Sequence, residues 1–168
     1  MSQFRVEKRR AEAELTLSTG GVVRGAFFLA AATAAQIGPE RVADLLNAEP
    51  GFFPFSPSGR SADHTAVINR AHVILVKLLE PSTEAQRDPG YEVATERHVA
   101  MVLSNGARLR GAVRVYCPQG RDRLSDYARS PLAFRYLEDD GATYVVNSAH
   151  IVEIGELRET ATGTEWSE

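Results

Sequence analysis

NRAHVILV, residues 69–76, returns as NSAHIVEI, residues 147–154. Each copy sets Asn-x-Ala-His ahead of a β-branched run, and the two lie at an offset of 78. Working upstream, residues 40–46 (ERVADLL) lie over residues 122–128 (DRLSDYA) at an offset of 82, and Phe52 meets Phe134. Further upstream, LTLSTGGVVRGA (15–26) lies over MVLSNGARLRGA (101–112) at an offset of 86, with six of twelve positions identical. The offset falls in two steps of four, so the element order is shared and the first copy carries the longer loops.

Each copy is readable through the other. Val99, Met101 and Leu103 alternate before Asn105-Gly106, and Leu109, Gly111, Val113 and Val115 alternate after it. This predicts a hairpin, and Asn-Gly suits a type I′ turn. RLSDYARS (123–130) is short and polar, with Ser125 or Asp126 placed to cap a helical turn within 123–129, and its counterpart falls within 41–47. Two more strands flank Asp139-Asp140-Gly141, and a last one follows the turn at 147–150. About five strands in roughly 60 residues is the size at which an antiparallel sheet curls into a small barrel. The expected fold is therefore mainly β, two tandem small barrels each with a short helical insertion. The first barrel takes residues 1–79 with apolar loop insertions, and a Pro-rich polar linker takes 80–90. The second barrel takes 91–157, and an acidic tail takes 158–168.

The segment NGARLRGAV (105–113) resembles the hairpin of the Sm-like family of small barrels, the Hfq-like and SH3-like group, and VVNSAHIVEI (145–154) resembles its closing motif. The likeness covers most of residues 96–157 and, less well, 10–79. The RLSDYARS insertion departs from it, because Sm-like chains run directly onward there. The resemblance implies a poorly characterised bacterial protein of two such barrels, in which a histidine near the closing turn belongs to a nucleotide pocket. Against that stands a purely structural role for Asn69, His72, Asn147 and His150, with asparagine capping the turn and histidine bonding the backbone.

The bulk numbers exclude several classes. With 43% hydrophobic and 24% charged residues the chain has a globular balance, and its net charge of −3 gives no global basic field. Cys117 is alone, which leaves no disulfide framework and fits a reducing compartment. The first ten residues lack an apolar core, and the longest uncharged run, 25–39, has 15 residues, so neither a secretion signal nor a transmembrane helix is read. A cytoplasmic location follows as the expectation, with attachment at the periphery of a membrane complex as the lesser reading. No P-loop, His-x-x-x-His, Gly-x-Ser-x-Gly or dinucleotide fingerprint occurs. The chain is therefore expected to be no enzyme and to use no cofactor and no metal.

Charge and apolar residues then divide the copies. Residues 108–135 carry seven arginines against two acids, a local +5, whereas the chain from Glu138 onward carries −7. Arg108, Arg110, Arg114, Arg121 and Arg123 are accordingly the candidate nucleic-acid contacts. The offsets set Val22 against Arg108, Phe28 against Arg114, Phe53 against Arg135 and Leu75 against Glu153. Apolar residues stand in the first copy where the second tolerates charge, which predicts a covered outer face on the first barrel. Either the second barrel covers it or another protein does. Val22, Phe28, Phe53, Phe55 and Leu75 are the candidate docking residues. The expected function is a non-catalytic accessory or scaffold subunit that docks on other protein subunits of a larger complex. The alternative is RNA binding through the arginine-rich second copy. A small-ligand role for the Asn-x-Ala-His turns is the third reading, and membrane-surface docking through Phe53, Phe55 and residues 8–10 a lesser one.

Overall fold

Ala13 and Leu15 are buried on alternate positions of β1 (Lys8–Leu17), and Phe27 and Leu29 on those of β2 (Val22–Ala30), the period-two pattern of strands with one face inward. The structure is a computed structural model that describes residues 8–31, 38–61, 64–80 and 83–158. Much of the apolar loop of residues 27–38 and nearly all of the acidic tail lie outside the described residues. In the first half α1 (Val42–Ala48), β3 (Phe52–Pro57), β4 (Ala66–Asn69), a 3₁₀ turn (Arg70–His72) and β5 (Val73–Leu78) follow. The second half repeats the order: β6 (Thr95–Leu103), β7 (Arg108–Val115), α2 (Leu124–Ala128), β8 (Phe134–Asp139), β9 (Ala142–Asn147), a 3₁₀ turn (Ser148–His150) and β10 (Ile151–Glu156).

Two closed barrels are not formed. The ten strands make one antiparallel sheet in the order β10-β6-β7-β8-β9-β5-β1-β2-β3-β4. Corresponding strands keep the same order in each half, but β5 pairs with β9 of the other half, Val76 opposite Val145 and Leu78 opposite Thr143. That pairing uses the edges a closed barrel would have needed, and it leaves β4 and β10 as the two ends of the sheet.

The joint is buried on both faces. Val73, Val76 and Leu78 of β5 enter the first core with Leu15, Phe27, Phe53 and Phe55, whereas Ile74 enters the second core with Met101, Leu103 and Leu137. In return Phe134 and Val145 of the second half lie in the first core, and Val146 lies in the second. Each such side chain contributes roughly 1.5–3 kcal/mol by leaving water. The halves therefore share their cores.

Both helices open alike. The Asp44 carboxylate accepts the Arg41 backbone N–H at 3.0 Å, and Asp126 accepts that of Arg123 at 3.1 Å, so the carboxylate acts from the third helical position. The hairpin turn differs from the type I′ expectation. Gly106 N–H bonds Leu103 C=O at 2.8 Å and Gly106 has φ +83°, but no described residue other than glycine has positive φ. The asparagine stays right-handed and accepts Ala107 N–H at 3.0 Å, leaving the left-handed position to glycine alone.

Candidate functional site

The repeated turn is a clasp. Ser18 Oγ lies 2.7 Å from His72 Nδ1, and Ser104 Oγ lies 2.7 Å from His150 Nδ1. In both, the serine N–H also donates to the histidine carbonyl at 2.8 Å, which fastens the hairpin tip to the 3₁₀ turn. Asn69 accepts Ala71 N–H at 3.0 Å and Asn147 accepts Ala149 N–H at 3.1 Å, capping the turns.

The second clasp does more than the first. Asn147, 3% exposed, donates through Nδ2 to Val73 C=O at 2.9 Å, and His150 Nε2 lies 2.8 Å from Ala71 C=O. Asn47 of α1 completes the joint, donating to Phe134 C=O at 2.8 Å and accepting Phe134 N–H at 2.9 Å. Asn147 and His150 thus lock the second half onto the first half's turn. Asn69 and His72 make no such bond to another segment across the sheet end among the described residues.

The five candidate docking residues do not form one surface. Phe53 and Phe55 are core residues, 1% and 0% exposed, stacked or edge-on against Phe27 at 5.4 and 5.2 Å. Leu75 sits half-buried in the joint opposite Val146, so the second half covers it. Phe28 is half-buried beneath the Arg10 guanidinium, 5.5 Å from the ring, and Val22 is exposed beside the hairpin turn. The apolar residues that reach water at the free end are Phe52, 60% exposed, and Val67, 67% exposed. Pro54 lies opposite Val67, and Phe52 and Pro54 alternate with the buried pair Phe53 and Phe55, so Phe52 and Val67 share the opposite face of β3 and β4.

The arginine candidates spread over several settings. Arg114 bonds Glu96 at 2.7 Å and lies 4.2 Å above the Tyr91 ring, which occupies its guanidinium. Arg108 and Arg110 occupy exposed positions of β7, and Arg121 and Arg123 are exposed before and at the start of α2. Arg97 was not singled out, yet it bonds the Asp122 carbonyl at 3.1 Å and Glu156 at 3.1 Å. An arginine opposite acids far along the chain leaves no local signal.

Between α1, β7, α2 and β8 lies a cavity of about 540 Å³. The segment read as a linker closes one side and is pinned to both halves. Buried Glu84 accepts Val42 N–H at 2.9 Å, Arg41 holds Asp88, and Gln86 donates to Glu138 at 2.8 Å, as does Tyr91 just beyond the segment at 2.7 Å. Asp88 also accepts Tyr116 Oη–H at 3.0 Å. Burial, with Asp88 beside it, raises the Tyr116 phenol above its ordinary pKa, and burial with Glu84 nearby raises Tyr136 likewise. The carboxylates on the cavity wall are engaged in the fold: Glu40 by Ala30 N–H, Asp44 and Asp88 by Arg41, Asp126 by Arg123 N–H and Glu138 by Tyr91. Cys117 is exposed at its rim. No cluster of three or more metal-ligating side chains, and no helix long and apolar enough to cross a membrane, occurs among the described residues. No family model, no curated protein and no solved structure matches the chain.

Proposed function

We propose that this protein is a non-catalytic assembly module, an accessory or scaffold subunit whose first half docks on another protein subunit of a larger complex. The observation that carries this reading is the free end of the sheet, where Phe52 and Val67 stand 60% and 67% exposed on adjacent strands and β4 has no outer neighbour among the described residues. An unpaired strand with apolar side chains is a template for another chain, and such edges are ordinarily covered. Phe53 and Phe55 face the core, so the docking surface is formed by their outward neighbours. Engagement of the cavity's carboxylates within the fold also favours a structural rather than an acid–base role.

Purification from native cells at low and moderate salt, with identification of bound protein and nucleic acid, tests the reading. A stoichiometric protein lost on Phe52→Glu with the unfolding midpoint retained supports docking. RNA that stays bound at moderate salt and leaves when Arg108, Arg110 and Arg114 are replaced together replaces this reading with the nucleic-acid one.

A further inference from the structure

We propose that the free edge of β4 pairs with the free edge of β10 on another copy of this chain, in the register that the internal joint already uses. This rests on the docking reading and names its occupant. The internal joint is heterologous: the fifth strand of the first half meets the fourth strand of the second. Among the described residues, what keeps one edge unpaired is the fourth strand of the first half and the fifth of the second, the two complementary sides of the same joint. Shifting the observed pairs by the repeat offset turns Val76 opposite Val145 into Ile154 opposite Val67, and Lys77 opposite Tyr144 into Gly155 opposite Ala66.

Side-chain exposure marks the same surfaces. Phe134, Val145 and Ile74 are the joint residues buried to 3%, 0% and 1%. Their counterparts in the repeat are Phe52, Val67 and Val152, which are 60%, 67% and 69% exposed. Three apolar residues are thus wet where their partners in the repeat are dry, and all three lie on or beside the sheet's end strands. The clasp repeats the pattern. Asn147 and His150 hold the backbone of residues 71–73, and Asn69 and His72 stand ready to hold the equivalent 149–151 of a neighbour.

The second joint is weaker than the first. Glu153 stands where β5 has Leu75, a half-buried position at which a carboxylate gives up part of its water, and Gly155 stands where β5 has Lys77. Association through it is therefore reversible and depends on concentration. Because the contact is head to tail, copies close into a ring if the rotation per joint allows and otherwise form a filament.

The test uses the full chain with Cys117→Ser as background. One protein carries Val67→Cys and the other Ile154→Cys. Directly opposed residues in antiparallel strands have Cα atoms roughly 4.5–5.5 Å apart, within reach of a disulfide. Mixed under mild oxidation, the two are expected to give a disulfide-linked pair of unlike chains. Val67→Cys mixed with Glu156→Cys, two residues out of register, is expected to give little. Light scattering should show the mass rising with concentration through multiples of 18.3 kDa. Phe52→Glu with Val67→Glu should return it to one chain with the unfolding midpoint kept. A single-chain mass at every concentration, with no in-register cross-link, overturns the proposal. If that monomer still binds a different protein lost on Phe52→Glu, docking survives and self-pairing falls; if it binds none, both fall.

Discussion

Gly25 and Gly111 are counterparts in the repeat, and each has a neighbouring strand's backbone where a side chain would be. A Cβ on Gly25 would sit 2.1 Å from Ser56 O, and one on Gly111 would sit 2.6 Å from Glu138 O. Neither obstacle is a flexible side-chain end, so the strands must part. Gly111→Ala is expected to lose the ~1–3 kcal/mol typical of overpacking, and Gly25→Ala more, as read by chemical denaturation. Two carboxylates give opposite pH dependences. Burial raises the Glu84 pKa more than Val42 N–H and Tyr136 lower it. Burial also pushes Asp44 up, but the Arg41 side chain and backbone N–H outweigh it and bring it below its ordinary value. Glu84 therefore binds its proton more tightly when folded. Its contribution is full below the unfolded value of about 4.3 and is lost as pH rises through the higher folded value. Lowering the pH from neutral to about 4–5 should raise wild-type stability relative to Glu84→Gln. For Asp44 the sign reverses: its contribution is present above about 3.9 and is lost as pH falls through the lower folded value. The wild type should lose its advantage over Asp44→Asn only in acid. Denaturation curves across pH check both.

At the scale of the element, β5 and β10 share a place in the repeat and differ in surroundings. VILVKL carries Val73, Val76 and Leu78 to one core and Ile74 to the other, whereas IVEIGE has only one strand neighbour among the described residues. Ile74→Asp is therefore expected to unfold the protein, while Val152→Asp leaves the unfolding midpoint nearly unchanged. Asn147→Ala removes a buried donor from Val73 C=O and an acceptor from Ala149 N–H, and should cost about 1–3 kcal/mol. Asn69→Ala removes one exposed turn bond and should cost less. Thermal and chemical unfolding of the four variants separate these cases. The unbroken apolar run VILV fits a strand buried on both faces, whereas Glu153 interrupts the run in IVEI. The repeat, the order of elements along the chain, the helix positions and the turn-capping role of Asn-x-Ala-His were legible because each rests on local chemistry written twice. The docking face was misread because Phe53 was aligned with Arg135 as outward. Phe53 faces the first half's own core, and Phe134, beside Arg135, faces that core as well, from the other half. A face set by partner strands far along the chain leaves no mark at one position. Glu84, Arg97 and Tyr91 carry no local signal for the same reason.

Over the whole molecule, two repeats have become one folding unit by exchanging side chains across β5 and β9. Residues 8–80 expressed alone lack Phe134 and Val145 in their core, and residues 83–158 lack Ile74. Either fragment alone is expected to be insoluble or molten, and their coexpression to restore a soluble pair that elutes and melts like the intact chain. The exchange also sets a clock on biosynthesis. Val145 lies 67 positions beyond Leu78, so the first half leaves the ribosome with the β9-facing edge of β5 unpaired and its core open. At an elongation rate of ~5–20 residues per second that interval lasts roughly 3–13 seconds. During it the nascent chain shows VILV as a bare edge, and the pairing it awaits is the one a neighbouring nascent chain on the same message is able to offer first.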